Sequence, residues 1–309
     1  MNISPDSALH LVGLTGTGKT NFLVAFDVIL DNPSDQNGLV HSDLADDRAY
    51  IQPLKEGWLR GEKFDRTSRQ PPPPPHQLLV KHPASGTSIG FNLPDLAGET
   101  FEAHFATRSI PQDLWERLQK ATGLLLFVHC DHNAEHAILE QPCFIDPTPA
   151  PKTESVLPPA EVTDVWKLED ASRQVKLVDL LQFIAEADPR ENPLRIAVIV
   201  SAWDQVEKAQ RIGPGAAAEL PNNPELFLAR RWPLLNQFLQ SNADTFCFRT
   251  FGVSARGGGN SKEEIERLTK IDKPSNRVIL VDDKHRSSDL TRPVRWLLGL
   301  LDPTPPSNV

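Results

Sequence analysis

The chain contains few cysteines and no long apolar run, and each shortage excludes a class of protein. Its three cysteines, Cys130, Cys143 and Cys247, are odd in number and lack C-x-x-C spacing. This usage predicts free thiols in a reducing compartment rather than a disulfide framework. The longest apolar runs, such as residues 124–128, are far too short to cross a bilayer, and no secretory signal opens the sequence. We therefore expect a soluble, cytoplasmic protein that does not use a membrane.

Positive charge is also in short supply. The 309 residues carry 32 lysines and arginines against 41 acidic residues, which gives a formal net charge of −9. General nucleic-acid surfaces and anionic-membrane surfaces are disfavoured by this balance, because both ligands attract basic proteins. The length allows one large α/β domain or two smaller ones.

What the chain does contain is a glycine-rich segment, residues 13–20, with the sequence GLTGTGKT. It fits the pattern G-x-x-x-x-G-K-[ST] of phosphate-binding loops. In such loops glycines let the backbone N–H groups point inward around a phosphate, while Lys19 would supply a positive charge and Thr20 a hydroxyl for magnesium. The apolar residues 8–12 predict a strand before the segment, and residues 21–30 predict an amphipathic helix after it. These neighbours favour a phosphate-binding loop over a glycine turn without a ligand.

The remaining pattern predicts a mostly parallel sheet with helices on both faces. Residues 31–70 are polar and irregular, and five prolines at 71–75 predict a rigid extended connector. A proline-rich stretch within about 133–170 predicts an exposed insertion. Further predicted strands are 77–82, 88–93, 123–130, 194–200 and 245–253, the first two of them paired as a hairpin. Further predicted helices are 112–122, 175–184, 224–242 and 291–301. Strands that alternate with helices in this way are typical of an α/β fold.

A second motif follows the predicted strand 88–93. Residues 95–99 read DLAGE and fit D-x-x-G. An acid at this position, Asp95, can hold a magnesium-bound water, and Gly98 lets a backbone N–H reach a terminal phosphate. The motif is weak alone but is strengthened by its place after the hairpin.

Two further segments predict a site for the base of a nucleotide. The strand 194–200 is followed by Ser201, Ala202, Trp203 and Asp204, and a carboxylate there can accept two hydrogen bonds from guanine, which adenine cannot supply. The alternative is that Asp204 caps the next helix. The strand 245–253 is followed by Ser254, Ala255 and Arg256, whose backbone N–H groups can meet guanine O6.

In this order the four motifs resemble the five-motif pattern of translation-factor-related (TRAFAC-clade) GTPases. More narrowly, the DLAGE sequence, the Trp203–Asp204 pair, the long insertions and the closing residues 292–298 (RPVRWLL) are similar to the bacterial double-GTPase group. That group is associated with gene neighbourhoods of bacterial conflict and defence. The resemblance covers essentially the whole chain and implies a single P-loop GTPase domain over residues 1–309, with a proline-rich switch I region at about 43–76.

The resemblance also implies the site residues and a cofactor, Mg²⁺. The residues implied as metal contacts are Thr20, Thr67 and Asp95. Ser68 is the alternative to Thr67 as the switch I residue. Residues implied for hydrolysis are Lys19, Thr67 and Glu99. Those implied for nucleotide binding are Gly13, Thr15, Gly16, Thr17, Gly18, Lys19, Thr20, Asn21, Gly98, Trp203, Asp204, Ser254, Ala255 and Arg256.

Two departures from the family pattern affect this expectation. Ser201 and Ala202 stand where the pattern has Asn-Lys, so the lysine that stacks on the base is missing and Trp203 is expected to cover the purine instead. Glu99 stands where many relatives have a water-positioning glutamine, and a carboxylate beside a γ-phosphate is unfavourable unless it is protonated, paired or turned outward. Slow hydrolysis is therefore expected unless Arg66 or Arg69 in the same chain, or an arginine of a partner, neutralises charge in the transition state. The alternative is that these arginines are solvated loop charges.

A last cluster, His129, Cys130, His132 and His136, has spacing that would allow zinc binding if the segment were helical. Cys130 follows an apolar strand, and a place in the core is the preferred interpretation.

The function expected from these motifs is a GTP-binding switch that binds GTP or GDP, acts on protein partners encoded nearby and pairs in a nucleotide-dependent homodimer or heterodimer. The rival interpretation is a nucleotide-binding structural module, or an ATP-using relative, with little or no turnover.

Overall fold

The computed structural model describes residues 8–31, 38–41, 51–62, 64, 76–83, 88–93, 98–131, 171–187, 192–211, 221–259, 261–283 and 285–301. Its strands are β1 (Ala8–Val12), β2 (Val40–His41), β3 (His76–Lys81), β4 (Ser88–Leu93), β5 (Ala121–His129), β6 (Leu194–Ser201), β7 (Phe246–Ser254), β8 (Ile279–Asp282) and β9 (His285–Ser287). Its α-helices are α1 (Lys19–Asp31), α2 (Ile51–Leu59), α3 (Gly98–Thr107), α4 (Gln112–Gln119), α5 (Arg173–Ala187), α6 (Trp203–Arg211), α7 (Pro224–Arg231), α8 (Pro233–Ser241), α9 (Lys262–Thr269) and α10 (Thr291–Leu297). A short 3₁₀ helix covers Pro274–Arg277.

Among the described residues, the main sheet has six strands in the order β1-β5-β6-β7-β8-β9. The first four strands run parallel, while β8 and β9 are antiparallel additions at one edge. A second, antiparallel sheet has the order β2-β3-β4, and β4 lies close to β1. The predictions of a mostly parallel sheet and of a hairpin made by β3 and β4 are confirmed.

Helices cover both faces of the main sheet, because the side chains of its central strands alternate between two apolar layers. On β5, Leu125 and Phe127 face one layer, which also contains the buried sides of α1, α2 and α10. Leu124 and Leu126 face the other layer, with α4, α5, α7 and α8. The predicted α/β fold is thus confirmed, with its core split between the two faces.

Two predictions about helices are wrong. The sequence predicts irregular structure over residues 31–70, but α2 lies there and buries Ile51 and Trp58. Its apolar spacing was obscured by Pro53 and Gly57, although proline is tolerated in a first helical turn. The single helix expected over 224–242 is two helices, because Trp232 precedes Pro233 and leaves helical geometry with φ −130° and ψ 52°.

A partly buried charge cluster joins α2 to α1. Lys55 Nζ on α2 donates to Asp27 Oδ2 at 2.8 Å and also contacts the carboxylate of Asp31. His41 on β2 brings Nε2 within 3.4 Å of Asp27 and 3.1 Å of Asp31. Asp27 is completely buried, and the positive charge of Lys55 makes its negative charge tolerable there. The cluster therefore joins α1, β2 and α2 into one unit.

Several predicted features lie outside the described residues. They are the proline connector at 71–75, the insertion at 133–170, and Arg66, Thr67, Ser68, Arg69, Asp95, His132 and His136.

Candidate functional site

The site is built at one edge of the main sheet, where four parallel strands end. Val12 of β1 pairs with Leu126 of β5, and Ser201 of β6 pairs with both His129 of β5 and Val253 of β7. The segments that follow β1, β6 and β7 consequently lie beside one another. In open α/β sheets, ligands bind in the crevice at this carboxyl edge.

The glycine loop, residues 13–20, is folded around its lysine. Lys19 Nζ donates to the carbonyl oxygens of Gly13 at 2.7 Å and Leu14 at 2.9 Å, and the residue is 7% exposed. Gly16 and Gly18 have φ values of 75° and 86°, a conformation that glycine adopts without strain. The loop thus brings a buried ammonium group and a glycine-rich backbone together, as the phosphate-site prediction requires.

Helix α1 begins at Lys19, directly after the glycine loop, so the positive end of its dipole faces the loop. Thr20 and Asn21 lie in its first turn, and both are partly buried. Gly98 is the first residue of α3. The predicted magnesium contacts of Thr67 and Asp95 lie outside the described residues.

Thr15 is held from two sides by residues that the motifs did not reveal. Its backbone N–H donates to Glu102 Oε1 on α3 at 3.0 Å. Its carbonyl oxygen accepts from the Arg173 guanidinium at the start of α5, at 3.1 Å. Neither residue belongs to a recognisable motif, and their roles depend on how α3 and α5 pack. The glycine loop is therefore flanked by a carboxylate and by a second cation.

The proposed base site centres on Asp204 and Ser254. Ser254 Oγ donates to Asp204 Oδ1 at 2.5 Å and accepts from the backbone N–H of Gly257 at 3.1 Å. Lys208 Nζ is 3.8 Å from Asp204 Oδ2. Because α6 begins at Trp203, Asp204 lies inside its first turn rather than at the capping position. The structure brings the two motifs together through one hydrogen-bonded chain.

Burial raises the pKa of the Asp204 carboxyl above its ordinary value. Hydrogen bonding from Ser254 and the charge of Lys208 act in the opposite direction, whereas the carboxylate of Glu264 adds to the increase. Asp204 is thus a desolvated carboxylate, and desolvated carboxylates are strong acceptors for a ligand that carries matching donors.

The glycine loop also contacts Ser201, the residue that opens the segment 201–204 proposed to bind the base. A Cβ atom added to Gly18 would lie 3.3 Å from Cβ of Ser201. Ser201, which occupies the asparagine position of the family pattern, therefore packs on the loop. This contact fixes the distance between the phosphate end and the base end of the site.

The expectation that Trp203 covers a purine is wrong. Its side chain is completely buried, packs edge-on against Phe227 at 5.4 Å and lies under Gly252, where a Cβ atom would approach the indole to 2.4 Å. The preceding Ala202 has φ 57°, a left-handed conformation that is uncommon for alanine. This backbone turn directs the indole into the core while Asp204 faces Ser254.

Cys130 is a core residue, as preferred from the sequence. It is buried, and its thiol donates to the carbonyl oxygen of Ala202 at 3.3 Å. Burial raises its pKa to about 12, so the thiol stays protonated and is a poor metal ligand. Burial also lowers the pKa of His129. The other members of the zinc hypothesis, His132 and His136, lie outside the described residues.

Comparison with known proteins identifies a family. A family model described as Double-GTPase 1 matches residues 10–297. Among solved structures, the bacterial selenocysteine-specific elongation factor EF-Sec is similar at 12% identity and a TM-score of 0.37, over 96% of this chain and 29% of that protein. This chain thus spans less than a third of that factor's length. The comparison with curated proteins found no match to this chain. No described helix has the length and apolarity needed to span a membrane. Since the family model covers nearly the whole sequence, the chain belongs to the Double-GTPase 1 family.

Proposed function

We propose that the chain binds GTP with Mg²⁺ and acts as a molecular switch that hydrolyses GTP slowly unless a partner helps. The observation that carries this proposal is the pairing of Asp204 with Ser254 at the same sheet edge as the glycine loop. Family membership gives independent support for a guanine nucleotide. Both observations support the proposal of a single ligand, with its phosphates at the glycine loop and its guanine at Asp204.

Guanine recognition falls to Asp204 and the segment after β7. A carboxylate accepts hydrogen bonds from guanine N1–H and from its 2-amino group. Adenine has no hydrogen on N1 and no 2-amino group, so it offers neither donor. Backbone N–H groups of Ala255 and Arg256 supply donors for O6. With Trp203 in the core, the base has no aromatic cover from this segment, and selection depends on these hydrogen bonds.

At the phosphate end, Lys19 and the backbone of the glycine loop hold the phosphates. Thr20, with Thr67 and Asp95 as the proposed further contacts, supplies hydroxyl and carboxylate oxygens, which are the donors that Mg²⁺ prefers. The ion would neutralise charge between the outer phosphates. Residues 43–76 are the proposed switch I region, and the segment from Asp95 into α3 is the proposed switch II.

Slow hydrolysis is proposed from the chemistry of Glu99, since a carboxylate is a poor substitute for a water-positioning glutamine beside phosphate. Arg173, whose side chain contacts the glycine loop, is the arginine that we propose to offset this. Its guanidinium contacts the carbonyl of Thr15, one residue from the carbonyl of Leu14 that holds Lys19. A guanidinium carries five donors in a fork, so an arginine on a backbone carbonyl can contact a phosphate at the same time.

The wider role is proposed from the family. We place the chain in the cytoplasm, in a bacterial conflict or defence system, with protein partners encoded nearby and with nucleotide-dependent pairing to a second GTPase or to its own copy. GTP-bound and GDP-bound forms would differ in the order of the switch segments and therefore in partner affinity.

One observation favours a second candidate, a nucleotide-binding module with little turnover or an ATP-using relative. Ala202 lacks the side chain with which the family lysine stacks on the base, and Trp203 does not replace it. The two candidates differ in phosphate release when the purified chain is incubated with Mg²⁺ and GTP or ATP. Phosphate release from GTP but not from ATP supports the switch. Absence of phosphate release, even with the neighbouring gene products present, supports the module.

Guanine affinity should depend on pH. Asp204 must be ionised to accept two hydrogen bonds from guanine, and its pKa is raised by burial. As pH falls from neutral, we therefore expect the affinity for GTP and GDP to decline. The decline should begin at a higher pH than it would with an aspartate of ordinary pKa. Titration calorimetry at a series of pH values measures this, with ATP as the reference. A parallel decline for ATP and GTP would assign the effect to the phosphate end instead.

A further inference from the structure

Helix α2 contacts the base loop, residues 254–257, although α2 lies far from it in sequence and within the proposed switch I region. Trp58 Nε1 donates to the carbonyl oxygen of Ala255 at 3.2 Å. In return, the Arg256 side chain donates to the carbonyl oxygen of Gly61, just after α2, at 2.7 Å. The two hydrogen bonds join the same two segments in opposite directions.

Trp58 is itself held firmly. Its side chain is buried, with 2% of the residue exposed. The Arg277 guanidinium lies 5.2 Å from the centre of its ring and donates to the carbonyls of Trp58 and Leu59 at 3.3 Å and 3.0 Å. A cation at the carboxyl end of a helix satisfies its last carbonyls and its dipole. The indole N–H is thus presented to Ala255 from a fixed ring.

The base loop is also closed from the other side. At Gly257, which has φ 76°, a Cβ atom would lie 1.9 Å from the carbonyl oxygen of Arg277. The Arg267 guanidinium donates to the Gly257 carbonyl at 2.8 Å. The loop therefore lies between α2 and the 3₁₀ helix, with little room to turn its peptide planes.

This arrangement determines where the loop's donors point. A trans peptide directs its C=O and N–H to opposite sides. When the carbonyl of Ala255 points to Trp58, the N–H of Arg256 in the same peptide points away from α2, and the backbone of Ala255 between its two peptide planes is restrained. The N–H groups proposed to meet guanine O6 are those that this hydrogen bond orients.

We propose that Trp58 is a positioning residue for recognition of the C6 substituent of guanine, and that α2 thereby links the switch I region to the base. The inference rests on the proposed function, because it takes residues 254–257 as the base loop. Asp204 is proposed to bind the opposite edge of the base, at N1 and the 2-amino group. Nucleotides that are altered at one edge therefore test one contact without the other. Sulfur is a larger and weaker acceptor than oxygen, so 6-thio-GTP tests the C6 contact, whereas ITP, which lacks the 2-amino group, tests the Asp204 contact.

The variant Trp58→Phe keeps a buried ring but removes the indole N–H. We expect the preference for GTP over 6-thio-GTP to shrink by about tenfold, the size of one hydrogen bond, while the preference for GTP over ITP stays as in wild type. Arg256→Ala, which removes the bond to Gly61 from a partly exposed side chain, should act in the same direction. Trp115→Phe on α4 is the matched control and should change neither preference.

Calorimetry with the three nucleotides on full-length variants, with thermal melting to verify folding, measures both preferences. An equal loss of the two nucleotide preferences would overturn the inference. So would the finding that neither Trp58→Phe nor Arg256→Ala changes any preference. A wild type that prefers GTP over ITP but binds 6-thio-GTP as tightly as GTP would overturn it while leaving the proposed function intact. A wild type that binds none of the three would refute the proposed function, and the inference with it.

Discussion

Replacing Lys19 by alanine should reduce binding of GTP, GDP and ATP alike by at least about 100-fold, the cost of removing one partner from a buried ionic contact. The ammonium group is the buried positive charge inside the glycine loop, fixed by the carbonyls of Gly13 and Leu14. Its loss would remove both the proposed contact with the outer phosphates and the ammonium group around which the loop is folded. Calorimetry or displacement of a fluorescent nucleotide measures the effect.

Lys270→Ala is a suitable control for Lys19→Ala, because the Lys270 side chain is 78% exposed and far along the chain on α9's carboxyl end. Lys19→Met, which keeps the aliphatic part of the side chain, separates charge from packing. Affinity close to wild type in both Lys19 variants would show that the glycine loop is not the phosphate site.

Replacing Arg173 by alanine should slow single-turnover GTP hydrolysis by about 1,000-fold, at the lower end of what a cation supplied to the transition state contributes. GTP affinity should change much less, since charge on the leaving phosphates increases only as the reaction proceeds. The contact of Arg173 with Thr15 is the structural reason for choosing it. Measurement of the rate constant with enzyme in excess over GTP tests this.

Two further results would distinguish catalysis from structure at Arg173. Added guanidinium ions should restore part of the rate in Arg173→Ala, and GDP with aluminium fluoride should bind the wild type but not the variant. Arg286→Ala, at an arginine side chain that is 56% exposed and paired with Glu207 on the surface, is the control. Equal hydrolysis rates in wild type and Arg173→Ala would remove this arginine from the mechanism.

The parts of the site that could be predicted from sequence are those determined by local pattern. A phosphate loop needs glycines, a lysine and a hydroxyl at fixed spacing, so the sequence alone predicts one at residues 13–20. The strand before it and the helix after it follow from hydrophobic periodicity, and both are confirmed. The same holds for Asp204 and Ser254, because parallel strands bring their carboxyl ends to one edge. Their hydrogen bond confirms that placement.

What could not be predicted depends on contacts between elements distant in sequence. Glu102 and Arg173 meet at Thr15 only because α3 and α5 pack beside the glycine loop. Trp58 reaches Ala255 across 197 positions. The prediction for Trp203 is wrong although Asp204 follows it directly, because the left-handed turn at Ala202 directs the indole into the core. A single sequence does not show such a turn, since nothing in the residue type of alanine predicts it.

The central claim is that Asp204 selects guanine for a phosphate site built on Lys19, and the variant Asp204→Asn tests it most directly. Xanthine carries an oxygen where guanine has its 2-amino group, so an asparagine amide can donate to the oxygen of xanthine where a carboxylate would repel it. The measurement is calorimetric titration of wild type and variant with GTP and XTP. We predict that wild type prefers GTP by about 100-fold and that the variant reverses this preference. Wild type that binds GTP and XTP equally, or a variant that keeps the preference for GTP, would contradict the account.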